Sequence, residues 1–267
     1  MTELRPEMKN PSSTRDGVSV IIITQNEARN IRDCMKSVSW ADEIIVVDAE
    51  STDNTRELCR EFTHRIFVRT WSGFADQKQF ALDHASQPWV MSIDADERVP
   101  DELTQEIKSI ITSSPEHDGY RIPRLSTFLG KPIYHGGWYP GYQVRLFRRD
   151  KCRLSTSRVH EGFVVDGSIG MLKNHMMHYT HATLEESLAR LNRYSTLEAL
   201  DRFERLHGKK IRWWDLLAHP FAEFFRKFIA KSGWRDGMNG FLMATISAMV
   251  KLSLYAKMWE MQKDSEQ

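Results

Sequence analysis

The chain has 267 residues, 41% of them apolar and 27% charged, enough for one large α/β core or one core with an appendage. A formal net charge of +1 gives no global field for gathering nucleic acid. Three cysteines (Cys34, Cys59 and Cys152), at no metal-ligand spacing, exclude a disulfide scaffold and suit a reducing compartment.

The first 17 residues, MTELRPEMKNPSSTRDG, are polar, lack the apolar run of a secretory signal, and are expected to form a loose tail. VSVIII (18–23) is a continuous β-branched run, the pattern of a strand buried on both faces. After TQNEA, the residues Ile31, Cys34, Met35 and Val38 recur at helical spacing. EIIVVD (43–48) predicts a second buried strand that ends on an acid, and STDNTRELCREF opens with cap residues and continues as a helix. RIFVR (65–69) predicts a third strand, FADQKQFALDHA a helix, and WVMSID (89–94) a fourth strand. Pro100 then stands where a helix start favours proline, ahead of DELTQEIKSII. Such alternation implies a mainly parallel sheet with right-handed crossovers. Ligands of these sheets collect at the carboxyl ends of the strands, and Asp48, Asp94 and Asp96 are all predicted to fall there.

From residue 119 to about 179 the pattern changes. YRIPRLSTF, YQVRLFRR and RVHEGFVV read as strands with basic and aromatic residues interleaved, joined by loops such as GGWYPG. Residues 183–206 predict a long polar helix with Leu184, Leu188, Leu191 and Leu200 as its apolar stripe. Between residues 205 and 235, eight basic residues face two acids, a net of +6, with Trp213, Trp214, Phe221, Phe224, Phe225, Phe228 and Trp234 among them. The four phenylalanines share one helical face, with Arg226 and Lys227 off it. This segment is either an interfacial helix among anionic headgroups or a helical pair packed on the core or forming a homo-oligomer. FLMATISAMVKLSLYAKMW follows, and its interruption at Lys251 predicts no spanning helix.

Two carboxylates one residue apart, Asp94 and Asp96, repel each other at a strand end. The pair serves either solubility or a hard divalent cation, since Mg²⁺ takes one or two protein carboxylates and completes its shell with water and phosphate, and Mn²⁺ suits the same oxygens. The context decides between them. SVIIITQNEARNI, EIIVVDAESTDNT, WSGFADQKQFAL and PWVMSIDADE stand in the order and spacing of the family 2 glycosyltransferases, and the first ~100 residues resemble that family throughout. WYPGYQVRLFRR, RVHEGFVVDGSIGMLKNHMMHYTH and SLARLNRYSTLEA resemble the branch that builds bacterial lipopolysaccharide cores, whose members transfer a hexose or heptose.

The resemblance implies a GT-A fold: a mainly parallel Rossmann-like α/β sheet with a mixed acceptor-side extension and C-terminal helices. Residues 18–112 are then the nucleotide-binding half of a catalytic domain, 113–182 its acceptor-side half, and 183–267 a helical region. Asp48 corresponds to the acid that contacts the nucleotide base, Asp94 to the acid near ribose and metal, and Asp96 to the metal ligand proper. Thr24, Asn26 and Glu27 occupy the loop that lines the nucleotide pocket in relatives. Glu50 replaces the glycine of the family's DDGS or DSGS, which alters the base contacts.

An inverting transfer needs a carboxylate that takes the acceptor hydroxyl's proton. Glu161 of RVHEG is assigned that role, with His160 either its neighbour or the base itself. Lys78 is either a phosphate contact near the donor or a surface lysine. Arg145 and Arg148 are expected to share a sheet face and to meet phosphates of the donor or of a phosphorylated core. Trp138 and Tyr139 form either a sugar platform or core packing. Of His175, His178 and His181, His178 matches the branch's HY position and is either a third metal ligand or a hydrogen-bonded structural histidine.

The expected activity is transfer of a sugar from a nucleotide-diphosphate sugar to a lipid-linked saccharide, with Mg²⁺ or Mn²⁺, on the inner face of a bacterial cytoplasmic membrane. Transfer to polyprenyl phosphate or another surface polysaccharide is the alternative, and a non-catalytic nucleotide-binding scaffold is a different class. A nucleotidyltransferase is disfavoured because no glycine-rich basic loop follows the first strand.

Overall fold

A computed structural model describes residues 16–113, 115–155, 162–180, 183–205 and 210–265. Its first half follows the alternation in the chain: β1 (Val18–Thr24), α1 (Ile31–Ser37), β2 (Glu43–Asp48), α2 (Thr55–Arg60), β3 (Ile66–Val68), α3 (Phe74–Asp83) and β4 (Trp89–Asp94). β1 lies parallel to β2 on one side and to β4 on the other, and β2 lies parallel to β3. The chain therefore enters at mid-sheet, winds outward to β3, and returns across β1 to lay down β4. That reversal creates a crevice outside the carboxyl ends of β1 and β4. Asp94, paired in register with Ile23, stands at its edge.

Burial explains the unbroken apolar runs. Val20, Ile22, Met91 and Ile93 pack toward Ile31, Met35, Leu103 and Ile107 on one face of the sheet, while Ile21, Ile45, Val47 and Val90 pack toward Ala81 and Leu82 on the other. Successive strand residues point to opposite faces, so a sheet covered on both sides needs apolar side chains at every position.

The acceptor-side elements are β5 (Glu97–Arg98), α4 (Asp101–Thr112), β6 (Gly119–Ile122), β7 (Arg124–Phe128), β8 (Lys131–Pro132), β9 (Gln143–Arg148), β10 (Cys152–Leu154), β11 (Phe163–Val165), β12 (Ile169–Met171) and β13 (Met176–His178). β9 inserts antiparallel between β4 and β6, giving a seven-stranded sheet ordered β12-β6-β9-β4-β1-β2-β3. YRIPRLSTF is not one strand. Pro123 lacks the N–H needed to continue the ladder, and the chain passes there from β6 in the main sheet to β7 in a four-stranded sheet ordered β5-β13-β7-β8.

The remaining helices are α5 (Leu184–Arg205), α6 (Asp215–Phe225), which runs on into a π-helical turn (Arg226–Ala230), and α7 (Gly237–Ser265). Lys251 interrupts the apolar run but not the helix: α7 is continuous, and Lys251 Nζ reaches Glu198 Oε1 of α5 at 3.2 Å. A helical stretch of 32 residues, Gly233–Asp264, contains an 18-residue window of mean hydropathy 1.3 and is long and apolar enough to cross a membrane by length and composition. In the fold, Leu254 and Met258 pack with Ala199 and Ile211, and Met243 packs with Phe128 and Ile133 beneath the small sheet. Asn239 Nδ2 donates to the Phe128 carbonyl at 2.6 Å, and Asp236 accepts from the His135 backbone N–H at 2.8 Å.

Candidate active site

The loops after β1 and β2 are stitched together residue by residue. Gln25 Nε2 donates to the Ala49 carbonyl (3.0 Å), the Asn26 N–H to Ser51 Oγ (2.8 Å), the Thr52 N–H to Asn26 Oδ1 (2.8 Å), the Glu27 N–H to Thr55 Oγ1 (2.8 Å) and the Ala28 N–H to Asp53 Oδ2 (3.1 Å). Short polar side chains are what such a seam requires, which explains why T-x-N-E and STD-x-T occur together. Asp48 is fully buried beneath it, accepting from the Ser51 N–H at 2.9 Å and the Ser51 hydroxyl at 2.5 Å. Thr24, buried, faces Asp48 in register. Asn26 and Glu50 both adopt φ of 55°, the left-handed region. Asparagine tolerates it, whereas Glu50 stands where the family's glycine relieves it.

At the end of β4, Asp94, Ala95, Asp96 and Glu97 form a turn built around a buried acid the sequence reasoning did not single out. Glu97 has no exposed surface. Its Oε2 accepts from the Asp94 backbone N–H at 2.8 Å, its Oε1 from Arg145 Nη2 at 2.7 Å, and Arg124 Nη1 stands 3.5 Å away. The same Arg145 Nη2 donates to Asp94 Oδ2 at 2.7 Å, while Lys78 Nζ donates to Asp94 Oδ1 at 2.9 Å. Burial works against an ionised Asp94, yet Arg145 and Lys78 outweigh it and hold the carboxyl well below the usual range. Burial pushes Glu97 the other way, upward, with the neighbouring Asp94 charge adding to the shift. Burial also opposes the Arg145 charge, but its two carboxylates hold the proton more firmly than usual.

Asp96 points to a different neighbour. Its Oδ2 lies 3.4 Å from His178 Nε2, and His178 Nδ1 is 2.9 Å from Ser126 Oγ, which fixes the ring. The Tyr179 N–H donates to the Asp96 carbonyl at 2.8 Å, tying β13 to the turn. Among the described residues, no group of three or more His, Cys, Asp or Glu is placed to hold a metal. Asp96 and His178 supply two donors.

Two cavities meet here. One, of about 520 Å³, is lined by Lys78, Arg121, Arg124 and Arg145 with Asp94, and by Gly162 and Phe163 on its far wall. The other, of about 300 Å³, is lined by Arg124, Trp138, His178 and Tyr194 and by Met243, Ile246 and Ser247 of α7. Arg124 walls both. Tyr139 packs edge-on against Tyr134 and His175. The candidate base, Glu161 with His160, lies outside the described residues, as does His181.

Arg145 and Arg148 do not share a face. Three residues apart in a strand, they point to opposite sides. Arg148 pairs in register with Trp89 at the start of β4, about 16 Å along the strand from Asp94, and its guanidinium covers the Trp89 ring at 5.1 Å. The structure thus removes Arg148 from the cluster and brings in Glu97, Arg124 and Ser126. An acid following D-x-D was visible in the sequence, but nothing local in the sequence marks Arg124 or Ser126, which arrive through the pairing of β7 with β13.

A sheet reversed at this point, with acids closing β4 and cations facing them across the crevice, is the layout of the GT-A fold. The mannosyltransferase PcManGT from Pyrobaculum calidifontis, solved in complex with GDP-Man and Mn²⁺, shares that fold at a TM-score of 0.52 and 18% identity, covering 96% of this chain and 91% of that one. Residues 19–154 match the model of glycosyl transferase family 2, and the chain belongs to that family. It is 33% identical over 250 residues to the lipopolysaccharide core biosynthesis glycosyltransferase LpsC of Rhizobium meliloti (strain 1021), covering 91% of this chain and 92% of that protein. An uncharacterised glycosyltransferase of Rickettsia prowazekii (strain Madrid E) is 29% identical over 265 residues, covering 93% and 89%.

Proposed function

We propose that this glycosyltransferase moves a sugar, with inversion, from a nucleotide-diphosphate sugar to a lipopolysaccharide-core acceptor. The observation that carries the donor is the cavity of about 520 Å³ with four cations on its wall beside Asp94. Diphosphate oxygens are the ligand such a lining suits. The acceptor class rests on the likeness to LpsC along nearly the whole of both chains.

Asp96 and His178 fit a divalent cation. Their oxygen and nitrogen, 3.4 Å apart, would supply two of its donors, the rest being left to water and phosphate. Bound there, Mg²⁺ or Mn²⁺ supplies charge neutralisation to the departing diphosphate. The chain's own residues do the rest. Lys78 and Arg124 hold the diphosphate, and Arg145 keeps Asp94 ionised and aimed. Glu161, whose neighbour Gly162 lines the donor cavity, takes the proton of the acceptor hydroxyl. That oxygen then bonds to the anomeric carbon from the side opposite the leaving phosphate, the glycosidic bond to phosphate breaks, and nucleoside diphosphate leaves. A positioned base of this kind contributes on the order of 10²–10⁴-fold.

A thermal-shift panel of uridine, adenosine and guanosine diphosphate sugars, with and without Mn²⁺, tests the reading. One nucleotide class should stabilise the protein in a Mn²⁺-dependent way, and Asp96→Ala should abolish the Mn²⁺-dependent part. Glu161→Gln should keep the donor shift and lose turnover, read as release of nucleoside diphosphate. A fully active Glu161→Gln moves the base elsewhere, to His160 first. No shift with any sugar nucleotide defeats the proposal.

A further inference from the structure

The donor and acceptor cavities leave one large surface unused. Leu217, Phe221, Phe225 and Ile229 recur every four residues along α6 and its π-helical turn, each more than half exposed. Phe241, Met249 and Leu252 expose a matching stripe on α7. Between the two stripes lies an almost wholly apolar groove of about 480 Å³. Contiguous apolar surface on this scale marks an interaction site rather than scattered surface residues.

The charges nearby have one sign toward solvent. Arg212 precedes α6, while Arg226, Lys231 and Arg235 follow it, all exposed. The acids of this segment are engaged within the protein. Glu223 bonds Arg226 at 2.6 and 2.9 Å, Asp215 accepts from the Arg212 N–H at 2.9 Å, and Asp236 holds His135 at 2.8 Å. Trp213, Trp214 and Trp234 are exposed at the two ends of the same helix. Apolar ridges, flanking cations and terminal tryptophans together match one environment, the headgroup boundary of a negatively charged bilayer.

We propose that the α6–α7 face docks on an anionic phospholipid bilayer, its groove and ridges entering the headgroup boundary and Arg212, Lys231 and Arg235 meeting lipid phosphates. The attachment is peripheral. Lys251 is engaged by Glu198, and Met243, Ala244, Leu254 and Met258 are buried in the protein, so lifting α7 into the bilayer would strip those contacts. The opposite side of α7, at Met243, Ile246 and Ser247, walls the cavity that contains His178. One helix thus separates the lipid surface from the acceptor cavity.

Flotation of the full chain with vesicles tests this without any sugar nucleotide, so its failure and a failure of the acceptor assignment remain separate results. Vesicles of equal parts phosphatidylglycerol and phosphatidylcholine should carry the protein upward, with a blue shift of tryptophan emission, and pure phosphatidylcholine should not. Phe221→Ser with Phe225→Ser should lower partitioning at least about ten-fold at an unchanged melting temperature, because both side chains are largely exposed. Lys231→Gln and Arg235→Gln should each cost about five-fold, and high salt should release the wild type. No flotation at low salt overturns the proposal, as does flotation that high salt leaves intact. A stable dimer in light scattering, dissolved by the serine variants and not floating, assigns the face to self-association instead.

Discussion

One guanidinium nitrogen holds two carboxylates in the crevice: Arg145 Nη2 lies 2.7 Å from both Asp94 and Glu97. Removing it leaves the buried Glu97 with the Asp94 N–H and the more distant Arg124, and the Asp94 carboxylate with Lys78. Arg145→Met should therefore cost about 3–5 kcal/mol in urea unfolding, the scale for breaking a buried pair from one side. The two acids give opposite pH signatures. Asp94 is depressed in the fold, so its contribution is present above the ordinary aspartate value of 3.8 and disappears as pH falls below it. Glu97 is raised, so ionisation costs stability as pH climbs past the ordinary glutamate value of 4.5. Melting temperatures measured from neutral to acid pH should fall less steeply in Asp94→Asn than in the wild type, and an unchanged acid limb would refute the assignment. Asp94 and Asp96 were legible because the pair stands in order and at spacing with the family's other motifs; alone, two acids at a strand end serve solubility as readily as a cation. Arg145 acquires its role only through β9, whose antiparallel register against β4 no local pattern specifies, and the parity that separates it from Arg148 was there to be counted.

At the scale of elements, the seam between the loops after β1 and β2 shows why motif residues need not touch a ligand to matter. Ser51 stands at its centre, donating N–H and hydroxyl to Asp48 and accepting the Asn26 N–H. Ser51→Ala deprives a fully buried carboxylate of one partner and a backbone N–H of its acceptor. A loss of about 1–3 kcal/mol is expected. Because the seam also shapes the loops that flank the crevice, the donor-induced thermal shift should shrink with it, whereas an exposed substitution such as Thr52→Ser should leave both measures near wild type. β1, β2 and β4 were readable from their unbroken apolar runs because each is covered on both faces, whereas the two-residue β5, at Glu97–Arg98, carries no such run and was not read. Beyond it, short strands exchange between two sheets at Pro123, and pairings such as β13 with β5 and β7 bring together residues too far apart in sequence for periodicity to relate.

For the molecule as a whole, the C-terminal helices complete the crevice rather than trail behind it. The sequence shows a basic, aromatic, apolar segment and a lysine within it. It does not show that Glu198 receives that lysine, or that Met243 closes a core with Phe128 and Ile133. These contacts set α7 against the cavity lined by His178, Trp138 and Tyr194, which shares Arg124 with the larger cavity. If the acceptor sugar enters there, occupying that space from α7 should disturb the acceptor and spare the donor. Ser247 is the position to use, since it is only partly buried and its hydroxyl bonds back to the Met243 carbonyl within the same helix. Ser247→Phe adds a ring to a space of about 300 Å³. The KM for a lipopolysaccharide-core acceptor should rise by on the order of ten-fold, equivalent to ~1.4 kcal/mol. The sugar-nucleotide thermal shift measured without Mn²⁺ should stay at the wild-type value. An equal loss of both would mean that the two cavities serve one ligand, and an unchanged acceptor KM would place the acceptor outside the helix-walled cavity.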